Sequence, residues 1–355
     1  MGKLVGFLFL LVVLAAGAAG AGWYWLNGVY TAAGPATEDG AARAVVIERG
    51  AATPAIATAL KEAGAITDAD QFRLALRARE FMGDKPVMKA GEYEIASGAS
   101  MEAIVKELST GSPLQYAVIV PEGLSVVQIT DLLGEREWKA IGGSPKTYKL
   151  SGELPTDIAE GSLLPGDYAV SRGDTVASVI ERMKDAQKTL LDEIWDKRKE
   201  GLPVKTREEA LILASVVEKE TGNPDEQTTV AGLYLNRLRT GMQLQADATI
   251  VYGLGKGRPL GRSITKAEIN ATTPWNTYTI PGLPKTPICN PGAGAIRAVL
   301  NPADTDAIYM MADGTGGHQF AATYAQHQKN VDAYWKLRKA NEAAGVNTPA
   351  VKPQR

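Results

Sequence analysis

The chain has 355 residues, with 38 Lys+Arg against 40 Asp+Glu and a formal net charge of −2, a near-balance that offers no basic face for nucleic acid. Apolar residues make up 45% and charged residues 22%, which excludes a disordered or fibrous chain and leaves room for two or three domains of roughly 100–200 residues each. A single cysteine, Cys289, and two histidines, His318 and His327, exclude a disulfide framework, a thiolate metal cage and a three-His zinc site. With no HExxH and no GxGxxG after a strand, no metal and no cofactor is expected. The chemistry must run on carboxylates, hydroxyls, amides or those two imidazoles.

From Leu4 to Leu26 the sequence reads LVGFLFLLVVLAAGAAGAGWYWL, 23 residues without a charge, enough to cross a hydrocarbon core of about 30 Å as a helix. Trp23, Tyr24 and Trp25 close the run, where an aromatic belt would meet headgroups. The small residues of 15–21 also offer cleavage sites, so a removed signal peptide is the rival reading. The aromatic cluster past those sites favours a retained anchor over 1–30. Under both readings the rest of the chain is exported. A retained anchor implies a single-pass protein of the cytoplasmic (inner) membrane with its globular part on the periplasmic or extracytoplasmic side.

Residues 31–43, polar and Ala-rich with Gly34-Pro35, read as a linker. After it a pattern recurs, Gly-x-small-x3-Ile/Val-x3-Leu/Met, starting at Gly50, Gly98, Gly123 and Gly173. The first two glycines are 48 apart and the last two 50 apart, a spacing that argues for a duplicated compact module. Each unit reads as a strand (AVVIE, YAVIVP), a turn glycine and a short helix; in three of the four a Ser or Thr two residues after the glycine is placed to cap it. The strand–helix–helix–strand arrangement expected over 44–112 resembles a LysM-type module, a small fold that binds peptidoglycan glycan; a spacer is the alternative. A second repeat-like unit is expected over 113–190, a catalytic core over 206–340, and a flexible tail over 341–355.

Thr206 to Gly222, TREEALILASVVEKETG, carries a capping box, Thr206 with Glu209, and ends on a glycine suited to the position after the helix. Between them the helix is apolar on nearly every side and belongs in a core. At about 100° per residue, Glu218 falls between Leu211 and Ala214, within the apolar stripe, while Glu220 falls nearly opposite, near Leu213. Burial and the negative end of the helix dipole both favour the protonated form of Glu218, the state of a general acid. The alternative is a structural ion pair with Arg237 or Arg239.

Three Gly- and Pro-rich segments follow: LQADATIVYG (244–253), TPWNTYTIPGLPKTPICNPG (273–292) and DGTGGHQF (313–320). Amides and carboxylates beside aromatic rings suit a carbohydrate groove, rings packing on sugar faces and Asn, Gln and Asp meeting hydroxyls. Ordinary turn chemistry explains the same residue types, Asn276, Asn290 and Asp313 included. The candidate substrate contacts are Gln245, Asp247, Asn276, Tyr278 and His318, with Phe320 as a packing surface and Glu220 in a secondary role; His318 serves equally well as a loop-ordering donor.

ASVVEKETG, LNRLRTGMQLQADATIVYG, NTYTIPGLP and DGTGGHQF, in this order, resemble the YceG-like family of endolytic murein transglycosylases. The resemblance spans about 44–337 and implies a membrane-anchored α+β enzyme: a transmembrane helix, a LysM-like βααβ subdomain and a mixed α+β catalytic domain over 113–340. It implies non-hydrolytic cleavage of the MurNAc-β-1,4-GlcNAc bond within peptidoglycan strands, leaving 1,6-anhydro-MurNAc ends. The catalytic glutamate of the family's E-K-E-T motif corresponds to Glu218. Kinship also implies work beside penicillin-binding glycan synthases, terminating nascent strands. Ala248, Trp275, Lys285-Thr286 and Cys289 depart from the family pattern. A membrane-anchored scaffold that binds peptidoglycan without cleaving it is the competing reading; Glu218 in an apolar stripe speaks against it.

Overall fold

The computed structural model describes residues 2–142 and 144–343. The tail expected over 341–355 therefore lies, from residue 344 on, outside the described residues. In chain order the elements are α1 (Gly2–Thr31), β1 (Arg43–Ile47), α2 (Thr53–Glu62), α3 (Ala69–Phe81), β2 (Gly91–Ile95), α4 (Met101–Thr110) and β3 (Gln115–Val120). Then come α5 (Val126–Glu135), β4 (Glu137–Lys139), β5 (Thr147–Lys149), β6 (Gly166–Ser171), α6 (Val176–Ile194), α7 (Arg207–Glu220) and α8 (Gln227–Thr240). The chain closes with α9 (Asp247–Gly255), α10 (Lys266–Asn270), α11 (Ala293–Leu300), β7 (Tyr309–Ala312), β8 (His318–Ala321) and α12 (Tyr324–Ala343). The result is a mixed α+β chain whose strands pair two by two, β1 with β2, β3 with β6, β4 with β5 and β7 with β8.

The chain divides into two units. The first holds Met1–Ala117, Glu137–Tyr148 and Ala169–Asp174. Its helix α1 contains Leu8–Thr31, 24 residues long and apolar enough to cross a membrane, a property shared by anchors and signal sequences. β1 and β2 pair antiparallel from Arg43↔Ile95 to Ile47↔Gly91, with α2 and α3 between them in sequence. Alternation puts Val45, Ile47, Tyr93 and Ile95 inward, where Phe72 and Leu60 of the helices and Ile104 and Leu108 of α4 complete one core. Asp68 caps α3, its carboxylate accepting from the backbone N–H groups of Asp70 (2.8 Å) and Gln71 (3.1 Å). Ser100 caps α4 through Ala103 N–H at 3.2 Å. At the first repeat, where Ala52 has no side-chain oxygen to offer, Pro54 opens α2 instead.

Glu92 breaks the apolar pattern of this unit. It is buried on β2, and its carboxylate accepts from Tyr116 Oη (2.7 Å), Arg172 Nε (2.7 Å) and Lys146 Nζ (3.1 Å). Burial pushes its pKa up, but the hydrogen bonds from Arg172, Tyr116 and Lys146 outweigh that and leave it below the ordinary carboxylate value.

The second unit holds Val118–Arg136, Lys149–Tyr168 and Thr175–Arg355. Its core is built on α7, which packs against α8 and α11. Ala210, Leu213, Ala214, Val216 and Val217 are buried there with Val230, Leu233, Tyr234, Ile296 and Val299. The expected capping box forms: Thr206 Oγ1 accepts from Glu209 N–H at 3.1 Å and Glu209 Oε2 from Thr206 N–H at 3.2 Å. The other end differs from expectation. The chain leaves α7 extended at Thr221, φ −134°, and Gly222 does not form a left-handed turn. Thr221 Oγ1 takes Asn223 N–H (3.0 Å) and meets Glu226 Oε2 (3.3 Å), so the exit is ordered by side chains. The glycines of the repeat, Gly50, Gly98, Gly123 and Gly173, all have φ between +73° and +94°, the left-handed conformation that brings each strand or loop round into its helix.

Replacing Glu92 with Leu strips three donors of one acceptor, and we expect a loss of about 2–3 kcal/mol in stability, read as a lower urea midpoint at pH 7. Because the native pKa of Glu92 is lowered, its contribution is complete above the ordinary carboxylate range and fades as pH falls through the native value. The difference between wild type and variant should therefore shrink in acid.

Candidate active site

Glu218 sits in the last turn of α7, half-buried, one residue past the buried Val217. Its Oε2 accepts from the backbone N–H of Gly292 at 3.1 Å. Arg237 donates to the carbonyls of Ile308 (2.7 Å) and Leu244 (2.6 Å), and Arg239 to Asn236 Oδ1 (2.8 Å). Burial pushes the Glu218 carboxyl above its ordinary pKa; the Gly292 N–H and Lys219 pull it down, while the nearby charge of Glu122 pushes further up. The net shift is upward.

The segment 287–292 fixes the carboxyl in place. Ile288 N–H donates to Ser215 Oγ on the buried face of α7 (3.0 Å), and Cys289 Sγ lies 3.4 Å from Ser215 O. Asn290 exchanges backbone hydrogen bonds with the turn before α5: its N–H goes to Leu124 O (2.8 Å) and its O takes Gly123 N–H (3.1 Å). Its side chain donates to Leu124 O (3.1 Å) and Glu160 Oε1 (3.0 Å) and accepts Leu163 N–H (3.0 Å). Lys219 Nζ closes the ring on Gly123 O at 3.2 Å. Gly123 holds φ +73°, the left-handed conformation that favours glycine; a Cβ there would make ordinary contact with Glu218 Cγ at 3.4 Å.

Glu160 is a second carboxyl of this neighbourhood, and sequence reading missed it. Burial raises its pKa against the hydrogen bonds of Val126, Tyr252, Gly161 and Asn290. The Val126 N–H is 2.9 Å away. Its only sequence signal is position, five residues before the turn Pro165-Gly166 that opens β6. Beside Lys219 opens a cavity of about 280 Å³ lined by Gly123, Gln128, Val251, Tyr252, Arg258 and Ile288. At its edge Lys256 Nζ stands 3.1 Å over the Trp275 ring, reached by a left-handed backbone at Lys256, φ 47°.

The remaining predicted residues fall in two groups. Gln245, Asp247, Asn276 and Tyr278 come together where the 273–280 loop meets the start of α9. Tyr278 Oη donates to Asp247 Oδ1 at 2.7 Å, and Gln245 N–H to Thr277 O at 3.1 Å. Gln245 holds φ 54°, a conformation rare outside Gly and Asn. Asn276 is buried; its amide donates to the carbonyls of Glu268, Ile269 and Ala271, and its Oδ1 accepts Tyr278 N–H. It is therefore a loop-ordering residue, and the turn reading prevails over the substrate-contact expectation. The charge of Glu220 acts on Tyr278 and on Arg237. His318 and Phe320 lie on β8, where Glu226 accepts both the His318 N–H and a bond from its Nδ1, each 2.8 Å. Phe320 packs against the core of this unit. Among the described residues no group of three or more His, Cys, Asp or Glu is arranged to hold a metal ion.

The model of the YceG-like family matches residues 45–333. The chain belongs to the YceG-like family. A relative from Streptococcus pneumoniae serotype 2 (strain D39 / NCTC 7466), named endolytic murein transglycosylase, is 27% identical over 366 residues, covering 92% of this chain and 64% of that protein. One of the same name from Bacillus subtilis (strain 168) is 25% identical over 308 residues, 81% of this chain and 83% of the relative. A crystal structure of a yceG-like protein from Listeria monocytogenes matches 81% of this chain and 98% of its own at 26% identity and a TM-score of 0.47. The chain thus spans just under two thirds of the length of the pneumococcal relative. The Trp275 indole N–H donates to Thr286 Oγ1 at 2.9 Å.

A raised native pKa means that the folded state binds a proton the unfolded state has already released. Stability from this group falls as pH rises from the ordinary glutamate value through the native one. Glu218→Gln is expected to leave stability unchanged in acid and raise the thermal midpoint by a few degrees above neutrality, measured by differential scanning calorimetry of both proteins across pH 4–9.

Proposed function

We propose that this protein is a peptidoglycan lytic transglycosylase in which Glu218 is both general acid and general base. The observation that carries the reading is the half-buried Glu218 carboxyl, kept toward its protonated form by burial and by Glu122. The names of the pneumococcal and Bacillus relatives point to the same activity.

Many glycosidases flank the scissile bond with two carboxylates; this reaction needs one. Protonated Glu218 gives its proton to the glycosidic oxygen as the bond from that oxygen to C1 of N-acetylmuramic acid breaks. The departing N-acetylglucosamine leaves with a hydroxyl at C4. The C6 hydroxyl oxygen of the muramic acid then bonds to C1, and its proton passes to the Glu218 carboxylate. The product carries a 1,6-anhydro end, water is not consumed, and Glu218 is again protonated. The substrate's acetamido group helps to steady the oxocarbenium-like centre. The Gly292 N–H, 3.1 Å from one oxygen, steadies the carboxylate midway without quenching its basicity.

In this reading Gln245, Asp247, Tyr278 and His318 meet the glycan, Phe320 lends an apolar surface, and Glu220 orders Arg237 and Tyr278. Helix α1 is a retained anchor in the cytoplasmic membrane with both units on the extracytoplasmic side. The segment 44–112 acts as a LysM-like glycan-binding module, and penicillin-binding synthases are the partners whose nascent strands the enzyme terminates.

The test is incubation of the full-length chain in detergent with peptidoglycan, followed by mass spectrometry of the fragments. Anhydro-ended muropeptides are expected, and Glu218→Gln should lower their rate of appearance by about 10²–10⁴-fold, the range for loss of a general acid–base. Reducing ends would make the enzyme a hydrolase. Full activity in the variant would remove Glu218 from the chemistry.

A further inference from the structure

Outside α1, the three most exposed large apolar side chains among the described residues are Phe81 (93%), Val87 (79%) and Met82 (65%). Scattered exposed apolar residues are ordinary. These three fall within seven consecutive positions, at the end of α3 and in the loop leading to β2, and such a concentration marks an interaction surface. Leu74, half-exposed and two helical turns before Phe81, extends the same face of α3.

The surroundings of this tip point to its partner. α3 packs along the end of α1. Near its start, Gln71 shares a cavity with Val29 and Ala32. Near its end, the Arg79 guanidinium lies 4.5 Å over the ring of Tyr30, which is buried. Side chains on a helix lean toward its N-terminus, so the Tyr30 ring lies on the side of the apolar span. From Gln71 to Arg79, α3 thus runs back toward that span. Trp25, which with Tyr24 is exposed at the end of the apolar run, precedes Tyr30 by about 7 Å of helix rise. Phe81 follows Arg79 by two residues. Between residues 70 and 89 there are five basic and three acidic side chains; Arg73, Arg79 and Lys85 pair with Asp70, Asp84 and Glu80, and the remaining excess of two positive charges suits anionic headgroups.

We propose that the Phe81–Val87 tip inserts into the outer-leaflet interface of the bilayer beside α1, a second and shallow point of attachment. The apolar side chains dip among the acyl chains and Arg77, Lys85 and Lys89 stay at headgroup level, as in an interfacial helix end. The proposal rests on the reading of α1 as a retained anchor.

Nitroxide labels on Phe81→Cys, Gly17→Cys and Thr58→Cys in the whole chain, reconstituted into nanodiscs of phosphatidylethanolamine and phosphatidylglycerol, test it by power saturation; Cys289 is buried, and wild type treated with the same label sets the background. Relaxation by oxygen relative to a water-soluble nickel chelate is expected to be several-fold higher at 81 than at 58, approaching the value at 17. If 81 matches 58 while 17 reports lipid, the tip is not in the membrane and the proposal falls alone. If 17 also matches 58, the anchor reading fails and takes the proposal with it. Strong dipolar broadening between labels at 81, with nickel access lost and no gain in oxygen access, would assign the tip to a second copy of the chain and overturn the lipid assignment.

Discussion

A carboxyl group held partly away from water, at the end of a helix whose dipole already disfavours its charge, is the constraint around which the second unit is arranged. Burial in the last turn of α7 works against ionised Glu218, and the group could relieve this by turning outward or taking a full salt bridge. The buried Arg237 donates to the carbonyls of Ile308 and Leu244, and Glu218 receives the backbone N–H of Gly292 and the influence of Lys219. That balance leaves the proton on the group more readily than in water while keeping the anion tolerable. A carboxyl so balanced suits a reaction that requires it first as donor and then as acceptor.

The segment 287–292 transmits this constraint. It is fastened to α7 through Ser215, to the turn before α5 through Gly123 and Leu124, and to Glu160 and Leu163 through the Asn290 amide. Glu160, half-buried, is satisfied by donors from three separate parts of the chain. Hydrogen bonds connected in this way reinforce one another, so the position of Gly292 relative to Glu218 is defined by residues from several distant parts of the chain.

Much of this was legible beforehand where the signal was local. The capping box at Thr206, the apolar run of α7 and the place of Glu218 in it follow from spacing alone, as do the glycine-then-helix repeats and the strand–helix–helix–strand order of the first unit. What could not be read was set by contacts distant in sequence: Asn290 reaches Leu124 across 166 positions and Leu163 across 127, and no periodicity encodes such a meeting. Asn276 shows the same limit from the other side. An amide in a Gly- and Pro-rich loop looks the same in sequence whether it faces a sugar or, as here, turns inward onto three carbonyls. Gly222 was a sound helix stop in composition, displaced because Thr221 and Glu226 order an extended exit instead.

Cys289, the chain's one sulfhydryl, lies inside that fastening segment with its sulfur against Ser215 O. Burial drives its ionisation far above the usual thiol range, and the nucleophilic thiolate is correspondingly scarce. In the folded protein the Cys289 thiol is therefore shielded from oxidants and from disulfide exchange. The fold can thus carry a cysteine three residues before Gly292, whose N–H meets the Glu218 carboxyl, without exposing it to thiol chemistry, a silence that lasts only while the fold stays closed.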